Sequence, residues 1–274
     1  MTPEDHPANL DPAAGSAEPQ IAPEAASEQI AAPGFPPAVP PPPERDPFWG
    51  YADLFWFIGL AIPSLLAGWA AGWLALALFK VKVVSLAAEM FVMYGLLFGS
   101  LRMMFRIWYD RPFWRSLAWK PIRLPAMWVM LCGMMTAVVV AVASSLIHTP
   151  TGDNPMTQLM DTRTDVLVMC ALGVTLAPLC EELAFRGFLQ PLLVRSLGAV
   201  PGILLAAVPF GMLHFQEYGD SWRHALIIAM AGVAFGWMRH ATGSTKAAAI
   251  MHAAYNSLFF IALMTEKRIL PHPW

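Results

Sequence analysis

Charged side chains are scarce: Asp, Glu, Lys and Arg make up 13% of the 274 residues, against roughly 25% in an ordinary soluble domain. That deficit excludes a soluble globule, and with it a nucleic-acid-binding protein. Cysteine is scarce as well. Cys132, Cys170 and Cys180 all lie in apolar stretches without metal-ligand spacing, so reduced thiols facing lipid or core are expected and a disulfide framework is not. Two patterns are missing altogether. No alternating ten-residue strand pattern recurs, which leaves helices as the only spanning structure. Nor does the N-terminus pair a basic region with a short apolar core, so it is not read as a signal peptide.

What the chain does have is apolar length. Hydrophobic residues reach 57% and the mean hydropathy is +0.52. The chain divides near Phe48. Thirteen of its 25 prolines precede that residue, and residues 1–50 hold eight acidic side chains and one basic one. Such a segment cannot bury enough apolar surface to offset its ordering entropy. Residues 1–47 are therefore expected to be a disordered, acidic, Pro- and Ala-rich cytoplasmic tail, with polyproline character at 40–43.

Residues 48–274 carry one apolar run after another, at 54–79, 83–105, 126–147, 166–194, 200–218, 225–239 and 245–264. A span needs about 20 such residues to cross a hydrocarbon core of about 30 Å. The expected fold is all-α, a polytopic transmembrane helix bundle of about seven spans. The sixth run is short: tilted, re-entrant, or extended through His240. Six basic residues (Arg102, Arg106, Arg111, Arg115, Lys120, Arg123) against Asp110 mark the loop after the second run as cytoplasmic. Alternation then places the N-terminus inside and the loop 153–165 outside, although Lys80 and Lys82 also fall outside. The expected location is the inner (plasma) membrane. Small-residue pairs at Gly68 and Gly72, Gly95 and Gly99, and Gly232 and Gly236 are read as close packing within the chain.

Ionisable residues inside spans are costly and need a reason. Glu89 in the second run stands alone. The later runs hold a cluster: Glu181, Glu182 and Arg186 in the fourth, Phe210 and His214 in the fifth, His252 and Asn256 in the seventh. Glu182 and Arg186 stand at i and i+4 with the acid first, the favoured order for an ion pair. Glu181, about 100° around the helix, is left without a local partner. His252 and Asn256 share a face, and Phe210 sits one turn before His214, where it shields the imidazole. At about 1.5 Å per residue, Glu181 and His214 lie roughly 21 Å deep and His252 only about 10 Å. Tilt, a kink at Pro178, or a different start to the last span would close that gap.

A carboxylate, two imidazoles and an amide converging in a wet intramembrane pocket suit amide hydrolysis. The carboxylate takes a proton from water, one histidine holds that water, and the other histidine and the amide donate to the oxyanion. Two histidines and a carboxylate could instead hold zinc. That reading is the weaker one, since there is no HExxH and the acid comes from another helix.

These residues resemble a known family. Glu181-Glu182 with Arg186 matches the EExxxR motif of the CPBP intramembrane proteases, also called the Abi or CAAX-protease family. Phe210 with His214 matches its FxxxH motif, and His252 with Asn256 its HxxxN motif. The likeness covers residues 165–265. It implies a helical bundle around a cytosol-facing cavity and a metal-free, glutamate-dependent endopeptidase. In that scheme Glu181 and His214 activate water, His252 and Asn256 stabilise the oxyanion, and Glu182, Arg186 and Phe210 support them. The implied substrate is a membrane-associated peptide or protein tail in the lipid bilayer. Prenylated substrates are one option among others. The competing expectation is a non-catalytic membrane adaptor or bacteriocin self-immunity protein that acts by binding, supported by the long acidic tail.

Overall fold

Residues 46–152 and 154–265 are described by a computed structural model. Nearly all of the expected tail, and Asp153 of the loop 153–165, lie outside them.

The first apolar run forms α1 (Tyr51–Phe79) and the second α2 (Lys82–Tyr109). Lys80 closes α1 in the left-handed conformation, and the two helices pack as a hairpin. Their close approach depends on Gly68 and Gly72. A Cβ at Gly68 would stand 2.8 Å from both Glu89 O and Met93 Cβ. Ser85 Oγ donates to Gly72 O at 2.8 Å, so polar as well as steric contacts set the register. Away from this seam α1 exposes Phe55, Leu66, Trp69 and Trp73. Large apolar side chains on the outside, with acids on the inside, are what a lipid solvent selects.

A short helix α3 (Phe113–Ser116) lies in the basic connection, and α4 (Ala126–Leu146) fills the third run. The fourth run is one 35-residue stretch, Arg163–Leu197, broken into pieces. Helix α5 (Arg163–Val174) stops at Thr175, α6 (Leu176–Glu182) follows, a wider π-helical turn takes Leu183–Leu189, and α7 (Gln190–Leu197) completes it. Pro178 has no N–H to offer the preceding turn, which fits the break just before it. Helices α8 (Ala199–Leu213), α9 (Trp222–Thr242) and α10 (Thr245–Thr265) occupy the last three runs.

Among the described residues, five stretches are long and apolar enough to cross a membrane: α1, α2, α4, Arg163–Leu197 and α9. Helix α8 is apolar but has 15 residues, while α10 has 21. The short span is thus the fifth, not the sixth. The expected run to residue 218 ends at Leu213, because the chain turns through His214 to Asp220, with positive φ at Gly219 and Asp220. The sixth takes the extended form through His240, with Ser221 capping its start by accepting from His224 N at 3.4 Å.

Lys82, awkward for the loop-charge pattern, pairs with Asp161 at 2.9 Å and so belongs with the 153–165 end of the bundle. Among the glycine pairs, Gly232 and Gly236 pack closely within the chain as expected. Gly95 and Gly99 do not: a Cβ at either would meet nothing within 4 Å.

Candidate functional site

The wide turn at Leu183–Leu189 shifts the register of side chains just after Glu182, and such turns recur at functional sites. Around it, α6, α8, α9 and α10 bring the polar residues of three separated runs into one cluster. At its centre is Glu182, fully buried, whose Oε1 accepts two hydrogen bonds. Arg186 Nη1 donates to it at 2.9 Å, the i,i+4 pair that the spacing predicts. His252 Nδ1 donates to the same oxygen at 3.0 Å.

Arg186 is 1% exposed. Besides Glu182 it finds Gly232 O, to which Nη2 donates at 2.8 Å, and the faces of aromatic rings. Its guanidinium carbon stands 4.3 Å from the Phe210 centroid and 5.4 Å from that of Phe235. A desolvated cation over a ring is worth about 2 kcal/mol, so these rings share in neutralising the charge. Phe210 therefore does more than shield His214, whose ring centroid is 5.2 Å away. Phe235 stacks on His252 at 4.5 Å and 20°. Nothing in the spacing of α9 marks Phe235, beyond its place one turn after Ala231 on the buried face.

Glu181 faces a different way. Its Oε2 is buried without a hydrogen-bond partner, 4.0 Å from His214 Nε2 and 3.9 Å from His252 Nε2. These separations are too long for direct hydrogen bonds and suit one bridging water, at ~2.8 Å from each atom. His214 Nδ1 donates to Phe210 O at 2.9 Å, the carbonyl one turn back. With both Nδ1 atoms committed to acceptors, both Nε2 atoms face the Glu181 carboxylate. The histidines and Glu181 are thus brought together despite their unequal depth along the sequence. The last helix starts at Thr245 as expected, so its start does not explain the agreement; the break at Thr175 and the wide turn reshape the fourth span instead.

Asn256 sits one turn beyond His252. Its Nδ2 donates to Gly173 O at 2.7 Å, a carbonyl next to the break between α5 and α6. One of its two N–H groups is thus spent on tying α10 to that break. Glu217, after α8, is a residue that the sequence pattern did not single out. The residue keeps an exposed surface while its carboxyl group is partly withdrawn from water. That desolvation raises its carboxyl above the usual range, while His214 pulls it down and Glu181 pushes it up.

The Glu181 carboxylate and the two imidazoles stand wider apart than the ligands of a tetrahedral zinc. A tetrahedral zinc, with ligands at about 2.0–2.1 Å, draws its ligand atoms to about 3.3 Å from one another. Glu181 Oε2 stands 3.9–4.0 Å from the two imidazoles. Among the described residues no group of three or more His, Cys, Asp or Glu side chains is placed to hold an ion.

Residues 163–258 match the family model described as type II CAAX prenyl endopeptidase Rce1-like. No curated protein and no solved structure matches the chain. The matched stretch runs from the start of α5 to Leu258 in α10 and includes all three motifs. The five long apolar stretches among the described residues indicate a multi-pass membrane protein, and the likeness of residues 163–258 to a protease family supports a hydrolase. The motif-bearing segment is thus similar to the Rce1-like family, a likeness consistent with a CPBP intramembrane protease.

Proposed function

We propose that the chain is an intramembrane, glutamate-dependent endopeptidase that cleaves a peptide bond in a membrane-associated peptide or protein tail, without a metal. The observation that carries this reading is the placement of Glu181 Oε2 at 3.9 and 4.0 Å from two imidazole nitrogens, unpaired and screened from bulk water.

The hydrogen bonds set the proton inventory. His214, with its Nδ1 proton on Phe210 O, presents a lone pair at Nε2 and accepts one proton of a bridging water. Glu181 accepts the other. His252, its Nδ1–H on Glu182, needs a second proton at Nε2 to donate to the oxyanion.

In the reaction Glu181 takes a proton from the water as its oxygen bonds to the scissile carbonyl carbon. The carbonyl oxygen becomes an oxyanion and accepts from His252 Nε2–H and from the remaining N–H of Asn256. Each such donor is worth about 2.7–4 kcal/mol in the transition state. Glu181 returns its proton to the amide nitrogen, the C–N bond breaks, and the remaining hydroxyl proton of the new acid passes by way of His214 Nε2 to the amine, so that a carboxylate and an ammonium group leave. Glu182 orients His252 and stabilises its doubly protonated form in the way a triad carboxylate does.

The basic connection between α2 and α4 supports a cytosolic placement of that end, with the N-terminus on the same side and the chain in the plasma membrane.

The test compares membrane peptides, by mass spectrometry, from cells lacking the protein, cells carrying it, and cells carrying Glu181→Ala or His214→Ala. A peptide that accumulates uncleaved in the deletion and in both variants supports the reading. Normal processing by both variants, each present at wild-type level, rejects it.

A further inference from the structure

Away from the catalytic cluster, a pocket of about 240 Å³ opens where α7 and α9 end. Its polar lining is Asp46, Gln190, Arg195, Arg239 and His240, with Pro47 at one wall. Two guanidiniums and an imidazole thus face a single carboxylate.

The cations are incompletely used. Arg195 is exposed and gives one N–H to Pro47 O. Arg239 is only partly exposed and donates through Nε to Thr245 Oγ1 at 3.1 Å. Among the described residues its two Nη groups have no hydrogen-bond partner. Asp46 lies within electrostatic reach of Arg239 but makes no ion pair with it. A guanidinium held by one nitrogen, with its fork free, is prepared for bidentate pairing with an oxyanion.

The position in the fold narrows the ligand. Helix α7 ends at Leu197 and α9 at Thr242, so the pocket lies at the ends of spans, the level of lipid headgroups. Ser244 Oγ donates to Lys120 O at 2.8 Å, which puts the basic connection after α2 at the same end. Trp237, exposed and 5.7 Å from the His240 ring, suits the interface. The floor is rigid. Gln190 Nε2 donates to Gly236 O at 2.9 Å, one turn from the Arg186–Gly232 bond, so the α7–α9 seam under the pocket continues into the catalytic cluster.

We propose that this pocket binds a phosphate group, as borne by an anionic phospholipid headgroup, with the forks of Arg239 and Arg195 on its oxygens and His240 at the rim. Basic pockets between span ends are suited to anionic headgroups. The proposal needs the membrane fold alone and stands apart from the peptidase chemistry.

Native mass spectrometry of the detergent-purified full chain tests it, with phosphatidylglycerol, phosphatidylcholine and inorganic phosphate as separate probes. Phosphatidylglycerol should remain bound where phosphatidylcholine does not, and should raise the thermal midpoint. Arg239→Gln and Arg195→Gln should each weaken phosphatidylglycerol binding about fivefold, because each basic residue near the surface contributes by that order. Arg195 and His240 are exposed, so Arg195→Gln and His240→Gln keep the test valid if Arg239→Gln does not fold. Binding of inorganic phosphate, lost in the same variants, supports the site and names free phosphate as its ligand. Equal phosphatidylglycerol binding by wild type and the variants, or no binding of either probe, overturns the proposal.

Discussion

His252 Nδ1 donates to Glu182 Oε1 at 3.0 Å across 70 residues of chain, and that oxygen also carries Arg186 at 2.9 Å. One carboxylate thus neutralises a buried cation and orients an imidazole, and the two duties can be separated. Glu182→Gln keeps the shape and removes the charge. It leaves Arg186 uncompensated, so thermal unfolding in detergent should show a loss of about 3–5 kcal/mol. Adding Arg186→Met should restore much of that stability, because the stranded charge is gone. Turnover should not return with it, since His252 still lacks its anionic partner. Full activity in the double variant would show that Glu182 serves Arg186 alone.

Glu181 should behave in the opposite way. Its Oε2 has no hydrogen-bond partner and its side chain is 18% exposed, so little folding energy depends on it. Glu181→Gln should leave the thermal midpoint unchanged or raised, as residues strained for function often do. Turnover should fall by roughly 10²–10⁴, the usual share of a positioned general base. A variant that unfolds as readily as Glu182→Gln would make Glu181 a structural residue.

The contrast between these two neighbouring acids shows how far the sequence reaches. Helical spacing predicts the Glu182–Arg186 pair because both partners lie on one helix, and hydropathy locates the runs because lipid demands long apolar segments. The partner of His252 is invisible to both, since contacts between helices in lipid leave no periodic trace when every face is apolar. For the same reason the stacking of Phe235 on His252 and the bond from Arg186 to Gly232 O appear only in three dimensions. Phe215 and Tyr218 prolong the apolar run beyond the end of α8, whereas the positive φ at Gly219 and Asp220 belongs to a turn. Asn256 was paired by spacing with His252, but the carbonyl it meets at Gly173 lies next to a helix break that the run of apolar residues conceals.

The glycine pairs offer a test of packing that is independent of the site. Gly68→Ala would press a methyl against Glu89 O and Met93 Cβ, both 2.8 Å from the added carbon. Backbone cannot give way cheaply, so the cost should be about 1–3 kcal/mol. Gly95→Ala and Gly99→Ala meet nothing and should stay within about 0.5 kcal/mol of wild type. Chemical unfolding of the three purified variants measures both. A large loss at Gly95 or Gly99 would reveal a partner helix on that face.

Removal of metal closes the choice between water activated by a carboxylate and water activated by zinc. The 3.9–4.0 Å separations between Glu181 and the imidazoles exceed those around a shared tetrahedral ion, so the cluster should act in its metal-free form. Protein treated with a strong chelator and then freed of it should cleave at the untreated rate, and added zinc should not raise that rate. The thermal midpoint should also hold, because the Glu182 bonds to Arg186 and His252 need no ion. If turnover disappears with the chelator and returns with zinc, the two Nε2 atoms and Glu181 must close by several tenths of an ångström to form a metal site. Glu181 would then be a ligand instead of the base.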